Sequence, residues 1–248
     1  MSSITDPNIP EISWFSALCD DDYEFLGQPD PALASSWSHC SNIVQTADHN
    51  GFDNVLLPSG YTLGIDSTAF AAGIATQTEQ INLLLAVRMG EMHLPQLARQ
   101  LATIDQIAGG RLCINIISSD IPGEALDSAP RYQRTLEWMQ VLRLLLNGES
   151  INFHGEFVNL ELDAPRIVDG ATCPPFYFGG FSPAAKDVAA AESDVFLTWP
   201  DTVASVGDTV QEMTALAADR YQRELIYGLR AHVIVRETEH LGGVREEA

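Results

Sequence analysis

Short apolar stretches alternate with longer amphipathic stretches along most of this chain. The apolar stretches are rich in β-branched and aromatic residues, which is typical of buried strands. The amphipathic stretches repeat apolar positions every three to four residues, which predicts helices. Predicted strands cover residues 12–18, 54–58, 81–88, 111–118, 176–180, 194–199 and 227–236. Predicted helices cover 33–50, 67–76, 94–108 and 131–146, a short helix from Pro183, and part of 201–220.

The order of these elements predicts a single α/β domain over residues 1–248. Strands separated by helices favour a parallel sheet, and a series of such units favours a TIM (β/α)8-type barrel over an open sheet. A hairpin insertion is predicted at about 150–165, turning at His154 and Gly155. Because 240–248 is a polar tail and no eighth strand follows, we expect an incomplete barrel of about seven of the eight strands. Its open edges would suit a fragment, a truncated gene product or a chain that associates.

The chain is strongly acidic, with 34 Asp and Glu against 13 Lys and Arg and a net charge of −21. This charge repels phosphate backbones, which argues against a nucleic-acid partner. No apolar run approaches the roughly 20 residues of a membrane helix, and the N-terminus lacks a signal-peptide pattern. We therefore expect a cytoplasmic protein without membrane association. The four cysteines and six histidines are scattered, so we expect reduced thiols and no metal site.

The last predicted strand carries the first candidate chemistry. Arg230 and His232 are two residues apart, so in a strand they share a face. An arginine beside an imidazole suits a barrel mouth that holds an anion and moves a proton. The alternative is an ion pair with a satisfied core histidine.

Further candidates lie near the ends of other predicted strands, where barrels carry their active sites. Arg88 ends the third strand and is either an anion contact or a partner for Glu91. Trp199 ends the sixth strand, where packing is the simpler interpretation. Trp14 shares a face of the first strand with Ser16 and either lines the pocket or belongs to the core.

Polar residues and glycines near other strand ends form a second group of candidate binding residues. Asn115 interrupts an apolar strand and Ser118 follows it; a buried amide needs partners, from a ligand or from neighbouring backbone. Tyr132 opens a helix, and Gly180 and Ser182 turn from a strand into another helix. Backbone N–H groups at a helix start attract phosphate, although the glycine pair is equally compatible with an ordinary turn.

Several motifs in order resemble the bacterial luciferase-like flavin monooxygenases, and most closely the two-component alkanesulfonate monooxygenases. They are NVLLPSG at 54–60, LARQLATID at 97–105, GRLCIN at 110–115, PRY at 130–132, YFGG at 177–180 with Ser182, DVFLTW at 194–199 and RAHVIVRET at 230–238. Each is weak alone, but their order is specific. The resemblance covers nearly all of this chain and about the first two thirds of a typical family member.

The resemblance implies a TIM-type barrel that uses reduced FMN, supplied by a separate NAD(P)H-dependent flavin reductase, with O2 as co-substrate. Its reaction would cleave the C–S bond of a small anionic organosulfonate to give an aldehyde and sulfite. Family members are usually dimers or tetramers, so a homo-oligomer is expected.

The resemblance also assigns roles to individual residues. Arg230 would bind the sulfonate or the charge on the oxygenated flavin, and His232 would assist proton transfer or hydrogen-bond the flavin. Trp199 would lie beside flavin and substrate. Tyr132 and Ser182, with Gly180, would bind the FMN phosphate.

The sequence also departs from the family pattern. The cysteine that alkanesulfonate enzymes carry after the second strand is absent, and Asp66 is only a weak substitute. The family's later mobile loop and final strand would fall after Ala248. Two alternatives therefore stay open: a flavin-binding protein with impaired catalysis, and a luciferase-like monooxygenase with another substrate.

Overall fold

A curled, wholly parallel sheet of seven strands forms the centre of the protein. The computed structural model describes residues 10–24, 28–61, 64–124, 126–166, 172–233 and 235. Sheet order follows chain order, as β1-β2-β3-β4-β7-β8-β9. The strands are β1 Ser13–Phe15, β2 Asn54–Leu57, β3 Asn82–Arg88, β4 Leu112–Ile117, β7 Phe176–Phe178, β8 Val195–Thr198 and β9 Ile226–Leu229. The predicted parallel, seven-stranded α/β architecture is confirmed.

Helices connect successive strands, and a separate hairpin interrupts the series after the fourth helix. The helices are α1 Trp37–His49, α2 Ser67–Ile74, α3 Leu94–Ala108, α4 Ser128–Leu146, α5 Pro183–Glu192 and α6 Val203–Tyr221, with a 3-10 turn at Pro31–Leu33. The predicted hairpin pairs β5 Ile151–His154 with β6 Asn159–Leu162 in antiparallel fashion. In the part of the chain that is described, no helix has both the length and the apolar character needed to cross a membrane.

The last strand is shorter than the sequence predicts. Its ladder with β8 ends where the Arg230 N–H donates to the Thr198 carbonyl at 3.0 Å. Pairing stops there because β8 itself ends at Thr198, with Trp199 and Pro200 following. The prediction of strand over 230–233 is therefore wrong, and residues 234 and 236 lie outside the described part. Strand β1 is likewise shorter than 12–18.

Buried apolar side chains form two groups, one on each side of the sheet. The larger group packs strands against helices and includes Val55, Leu85, Ile114 and Phe178. The smaller group contains Leu84, Cys113, Tyr177 and Val195, with Leu56 and Leu197 against it, and all of these lie on strands. Because side chains alternate along a strand, this smaller group marks the inner wall of the curled sheet.

Polar side chains fix the start of four helices. Ser36, Asp66, Ser182 and Thr202 each accept a hydrogen bond from the backbone N–H three residues on, at the N-termini of α1, α2, α5 and α6. The Asp66 carboxylate also accepts from the Thr68 hydroxyl at 2.7 Å. Asp66 is thus committed to capping, which accounts for its presence without a catalytic role.

A buried carboxylate holds the hairpin against α4. Glu137 is 3% exposed. Its Oε1 accepts from the Glu156 N–H at 2.9 Å, and its Oε2 accepts from the Phe157 and Val158 N–H groups at 2.8 and 2.9 Å. The Gln133 amide donates to Oε1 at 3.0 Å. Burial acts to raise the pKa of Glu137, but these hydrogen bonds together hold it below its ordinary value.

A second carboxylate organises the turn before β3, and its titration can be tested. Asp48 accepts from the N–H groups of residues 79, 80 and 81 at 2.7–3.0 Å. Burial acts to raise the pKa of Asp48, but these bonds and the nearby Arg111 guanidinium hold it below 3.8. The charge therefore stabilises the fold above that pH, and the contribution is lost as pH falls through the lowered pKa.

We expect Asp48→Asn to lower the free energy of unfolding by about 1–2 kcal/mol at pH 7, because the charged acceptor of these bonds is lost. Urea unfolding should show this difference shrinking below about pH 4, and a pH-independent difference would contradict it.

Candidate active site

Arg230 lies between two aromatic rings at the C-terminal edge of the sheet. Its Cζ is 4.5 Å from the Trp199 ring centroid and 5.4 Å from that of Phe15. Phe15 belongs to β1, whereas Arg230 and Trp199 follow β9 and β8, so the curled sheet brings its first and last strands to one place. Planar guanidinium groups stack on aromatic faces and keep their in-plane donors free. An anion can therefore reach Arg230.

Strand register places Arg230 on the inner side of the sheet. A Cβ on Gly228 would meet the Leu197 and Val195 side chains, which belong to the inner wall. Arg230 follows just after the strand; its N–H still bonds to β8 and its guanidinium contacts the Phe15 ring, so it lies on the same side. Phe15 pairs with Leu56, another inner-wall residue. The sequence did not single out Phe15, because an aromatic residue in a short apolar strand is indistinguishable from core.

His232 follows Arg230 but is not held in a strand as expected. Its side chain is exposed, and among the described residues it has no hydrogen-bond partner. Arg230 is exposed as well. Within the part of the chain that is described, neither side chain forms an ion pair or packs in the core, so both groups are open to a ligand at this rim.

Arg88 forms a second cationic position on the same rim, at the end of β3. It is 4% exposed, and its Nε donates to the Ser119 hydroxyl at 2.9 Å. Its Cζ lies 3.9 Å from the Tyr61 ring centroid, and Tyr61 and Ser119 share a hydroxyl hydrogen bond of 3.1 Å. Arg88 also pairs with Glu91 at 3.3 Å, as the simpler interpretation predicted. Much of its donor capacity is thus already used.

The side chains of Asn115 and Ser118 point to opposite sides of the sheet. Asn115 is two residues beyond the inner-wall Cys113, so its amide faces inward. This amide is half-buried and has no hydrogen-bond partner in the described ranges, which leaves it available to a ligand. Ser118 instead shares a hydrogen bond of 2.6 Å with the Thr135 hydroxyl on α4. The structure therefore gives Ser118 a contact with a helix.

Tyr132, Gly180 and Ser182 come together at the start of α5. A Cβ on Gly180 would lie 2.6 Å from the Ala185 Cβ and 3.6 Å from the Tyr132 hydroxyl, so only glycine allows the chain to approach α5 this closely. The Ser182 hydroxyl accepts from the Ala185 N–H at 3.2 Å. The Tyr132 ring packs edge-on against Phe178. These contacts bring the Tyr132 hydroxyl close to the chain that enters α5, at the positive end of the α5 dipole.

Trp14 does not lie with Arg230 and Trp199 on the inner side of the sheet. Its ring packs edge-on against Phe52 at 5.4 Å, and its strand neighbour Val55 belongs to the helix-side core. Trp14 and Ser16 do share a face as expected, but that face is opposite to Phe15. The adjacent Phe15 occupies the inward position instead.

The cysteines offer no reactive group. All four are free, and burial raises the pKa of Cys113 and of Cys173 to about 12. Neither is a thiolate near neutral pH. Within the described ranges, no cluster of three or more His, Cys, Asp or Glu side chains could hold a metal ion.

Comparison with known proteins identifies the family of this chain. The luciferase-like monooxygenase family model matches residues 24–241. A sulfoquinovose monooxygenase of Novosphingobium aromaticivorans is 59% identical over 237 residues, covering 92% of this chain and 65% of the relative. One of Agrobacterium fabrum is 45% identical over 239 residues, covering 94% and 61%.

A solved structure shows the same fold. EDTA monooxygenase from Chelativorans sp. BNC1 superposes with a TM-score of 0.79 at 18% identity, covering 92% of this chain and 63% of that one. The chain thus spans less than two thirds of the length of these relatives. With the family model matched from residue 24 to residue 241, the chain belongs to the luciferase-like monooxygenase family.

Proposed function

We propose that this chain is the catalytic part of a flavin-dependent monooxygenase that cleaves the C–S bond of an organosulfonate. The observation that carries the proposal is Arg230, which is stacked between Trp199 and Phe15 and makes no side-chain hydrogen bond within the described residues. The two relatives named as sulfoquinovose monooxygenases favour a sulfonate sugar as substrate. A linear alkanesulfonate, which the sequence motifs suggest, is the competing substrate.

The residues at the rim fit a reduced FMN. The Gly180 backbone lies next to the Tyr132 hydroxyl and the start of α5, and it carries no side chain that would shield them. Nearby, the Arg131 Nε is buried and has no hydrogen-bond partner in the described part of the chain. Helix starts, hydroxyl groups and arginines are the groups that bind phosphate. We assign the FMN phosphate to the start of α5 beside the Tyr132 hydroxyl, and a flavin-facing hydrogen bond to the Asn115 amide.

The bound flavin would supply the oxidising chemistry by activating O2 and delivering one oxygen atom to the carbon that bears the sulfonate. Arg230 binds the sulfonate through two of its N–H donors and fixes the reacting carbon relative to the flavin. Trp199 and Phe15 hold the guanidinium in place and cover apolar faces of the site. His232 accepts or returns a proton at its imidazole as the C–S bond breaks and sulfite leaves. Arg88, already bonded to Ser119, provides a weaker second positive charge.

Two partners follow from the proposal. A separate NAD(P)H-dependent flavin reductase has to supply the reduced flavin. We also propose that this chain associates with itself as a dimer or tetramer. The outer edge of β9 has no paired strand among the described residues, and such an edge favours association.

Sulfite release tests the proposal. The purified chain is incubated with FMN, NADPH, a flavin reductase and either sulfoquinovose or hexane-1-sulfonate, and sulfite is measured with a thiol reagent. We expect sulfite from sulfoquinovose, dependent on the reductase. Flavin binding without sulfite from either compound would favour a flavin-binding protein with impaired catalysis. Sulfite from hexane-1-sulfonate alone would favour the linear substrate.

Flavin affinity tests the phosphate site. We expect Tyr132→Phe to weaken FMN binding by about 10-fold, because one hydrogen bond to a charged oxygen is lost. Quenching of flavin fluorescence on titration gives the affinity. Tyr227→Phe is the matched control, since the Tyr227 hydroxyl bonds Thr214 on α6. Equal affinities of the Tyr132 variant and the unmodified chain would place the phosphate elsewhere.

A further inference from the structure

A small cavity beside Trp199 has a chemistry that the sulfonate site does not use. Its volume is about 230 Å³, and it lies between the loop after β7 and the start of α6. Phe181 and Trp199 provide aromatic walls, and both are about half exposed, at 48% and 50%. The polar lining comes from Thr198, Asp201, Ser205 and Thr209. Drug-sized ligands occupy about 300–1,000 Å³, so this cavity suits a smaller group such as one sugar ring.

Every hydroxyl in the lining already donates its proton inside the protein. Ser205 donates to the Asp201 Oδ2 at 2.7 Å, and Thr209 donates to the Ser205 carbonyl at 3.0 Å. Thr198 donates to the Gly228 carbonyl at 3.3 Å. What these side chains offer to a ligand is therefore oxygen lone pairs, together with the free lone pairs of the Asp201 carboxylate.

A lining of acceptors selects for a ligand rich in donors. Sugar hydroxyls are such donors, and aromatic rings pack well against the apolar face of a pyranose. A linear alkyl chain has no donors, so it would cover these oxygens without replacing their bonds to water. The Asp201 charge would repel a sulfonate and direct it elsewhere.

The sulfonate is then expected to bind at Arg230 instead of beside Asp201. Trp199 belongs to both sites, because it lines the cavity and carries the Arg230 guanidinium 4.5 Å from its ring centroid. A sulfonate bound at Arg230 therefore leaves the rest of a sugar within reach of the cavity. We infer that the cavity between Phe181, Trp199 and Asp201 is a subsite for sugar hydroxyls, which makes this chain select a sulfonated sugar over a linear alkanesulfonate. This inference rests on the proposed function and extends it to substrate choice.

Selectivity between two six-carbon sulfonates tests the inference. Asp201→Asn keeps the shape of the side chain but replaces one acceptor with donors. We expect kcat/KM for sulfoquinovose to fall by about 10- to 100-fold, mostly through KM. The value for hexane-1-sulfonate should change by less than about twofold. Asp208→Asn, an equal charge change at an exposed position of α6, should alter neither. Ser205→Ala should reproduce the selective loss in part.

The outcomes separate the inference from the proposed function. Equal losses for both sulfonates in Asp201→Asn, or no loss for sulfoquinovose, would overturn the sugar subsite while leaving sulfonate oxidation in place. If the unmodified chain releases no sulfite, the proposed function fails, and binding then decides the subsite. Saturation-transfer NMR should show sulfoquinovose ring protons in contact with the unmodified chain, with a weaker signal for Asp201→Asn. The same signal for both proteins would overturn the inference.

Discussion

Replacing Arg230 with alanine is expected to lower kcat/KM for a sulfonate by at least about 100-fold, because two charge-assisted hydrogen bonds are lost. Each such bond contributes about 1.5–3 kcal/mol. The aromatic neighbours, with ring centroids 4.5 and 5.4 Å from the guanidinium, fix its plane, so the geometry is set before the substrate binds. Arg230→Lys keeps the charge but loses the planar fork and the stacking, and should recover only part of the activity.

Matched measurements separate this role from a general loss of charge or fold. Arg99→Ala removes one positive charge from an exposed position on α3 and should leave kcat/KM unchanged. FMN affinity of the Arg230→Ala variant should stay near that of the unmodified chain, since the proposed phosphate site lies at Gly180. A loss of less than about threefold in kcat/KM would exclude Arg230 as the sulfonate ligand.

Replacing Glu137 with alanine is expected to destabilise the fold by about 3–5 kcal/mol, because three hairpin N–H groups lose their acceptor at a buried position. The carboxylate also fills the space beside Gly155, where a Cβ would lie 2.3 Å from Oε2. The variant therefore leaves a cavity as well as unpaired donors. Urea unfolding followed by far-UV circular dichroism gives the free energy of unfolding.

An exposed carboxylate on the hairpin that Glu137 holds in place provides the control. Glu161→Ala removes an exposed side chain from β6 and should change the free energy of unfolding by no more than about 0.5 kcal/mol. The Glu137 contribution is present above its ordinary pKa and is lost as the pH falls through the lowered value. Equal stabilities of the Glu137 and Glu161 variants would show that the hairpin is held by other contacts.

Repeats of apolar positions every two residues and every 3.6 residues predicted most of the strands and helices. Strands and helices alternate as the patterns predict, and α3 ends at Gly109, whose φ of 68° favours glycine. The end of β9 was missed because strand length depends on a partner: β8 ends at Thr198, and no alternation within 227–236 reveals that. The hairpin was visible in the sequence, but Glu137 was not, since a mid-helix glutamate is ordinarily exposed.

The positions of the candidate residues could be predicted where the end of a strand decides them, and not where only three-dimensional neighbours decide them. Arg230, Trp199 and the Tyr132–Gly180–Ser182 group lie where the strand ends suggested. Trp14 and Phe15 are adjacent, and only the register against β2 shows that Phe15 faces inward. Asp201, which we propose for the sugar subsite, was not singled out, because a carboxylate before a helix is explained by capping alone. Its orientation into a cavity depends on Phe181, which belongs to another loop.

A crystal structure of this chain with FMN and sulfoquinovose tests the central claim most directly. We predict the FMN phosphate beside Tyr132 and the start of α5, and the sulfonate oxygens within hydrogen-bonding distance of the Arg230 guanidinium above Trp199. A flavin bound away from Gly180, or a sulfonate without contact to Arg230, would contradict it.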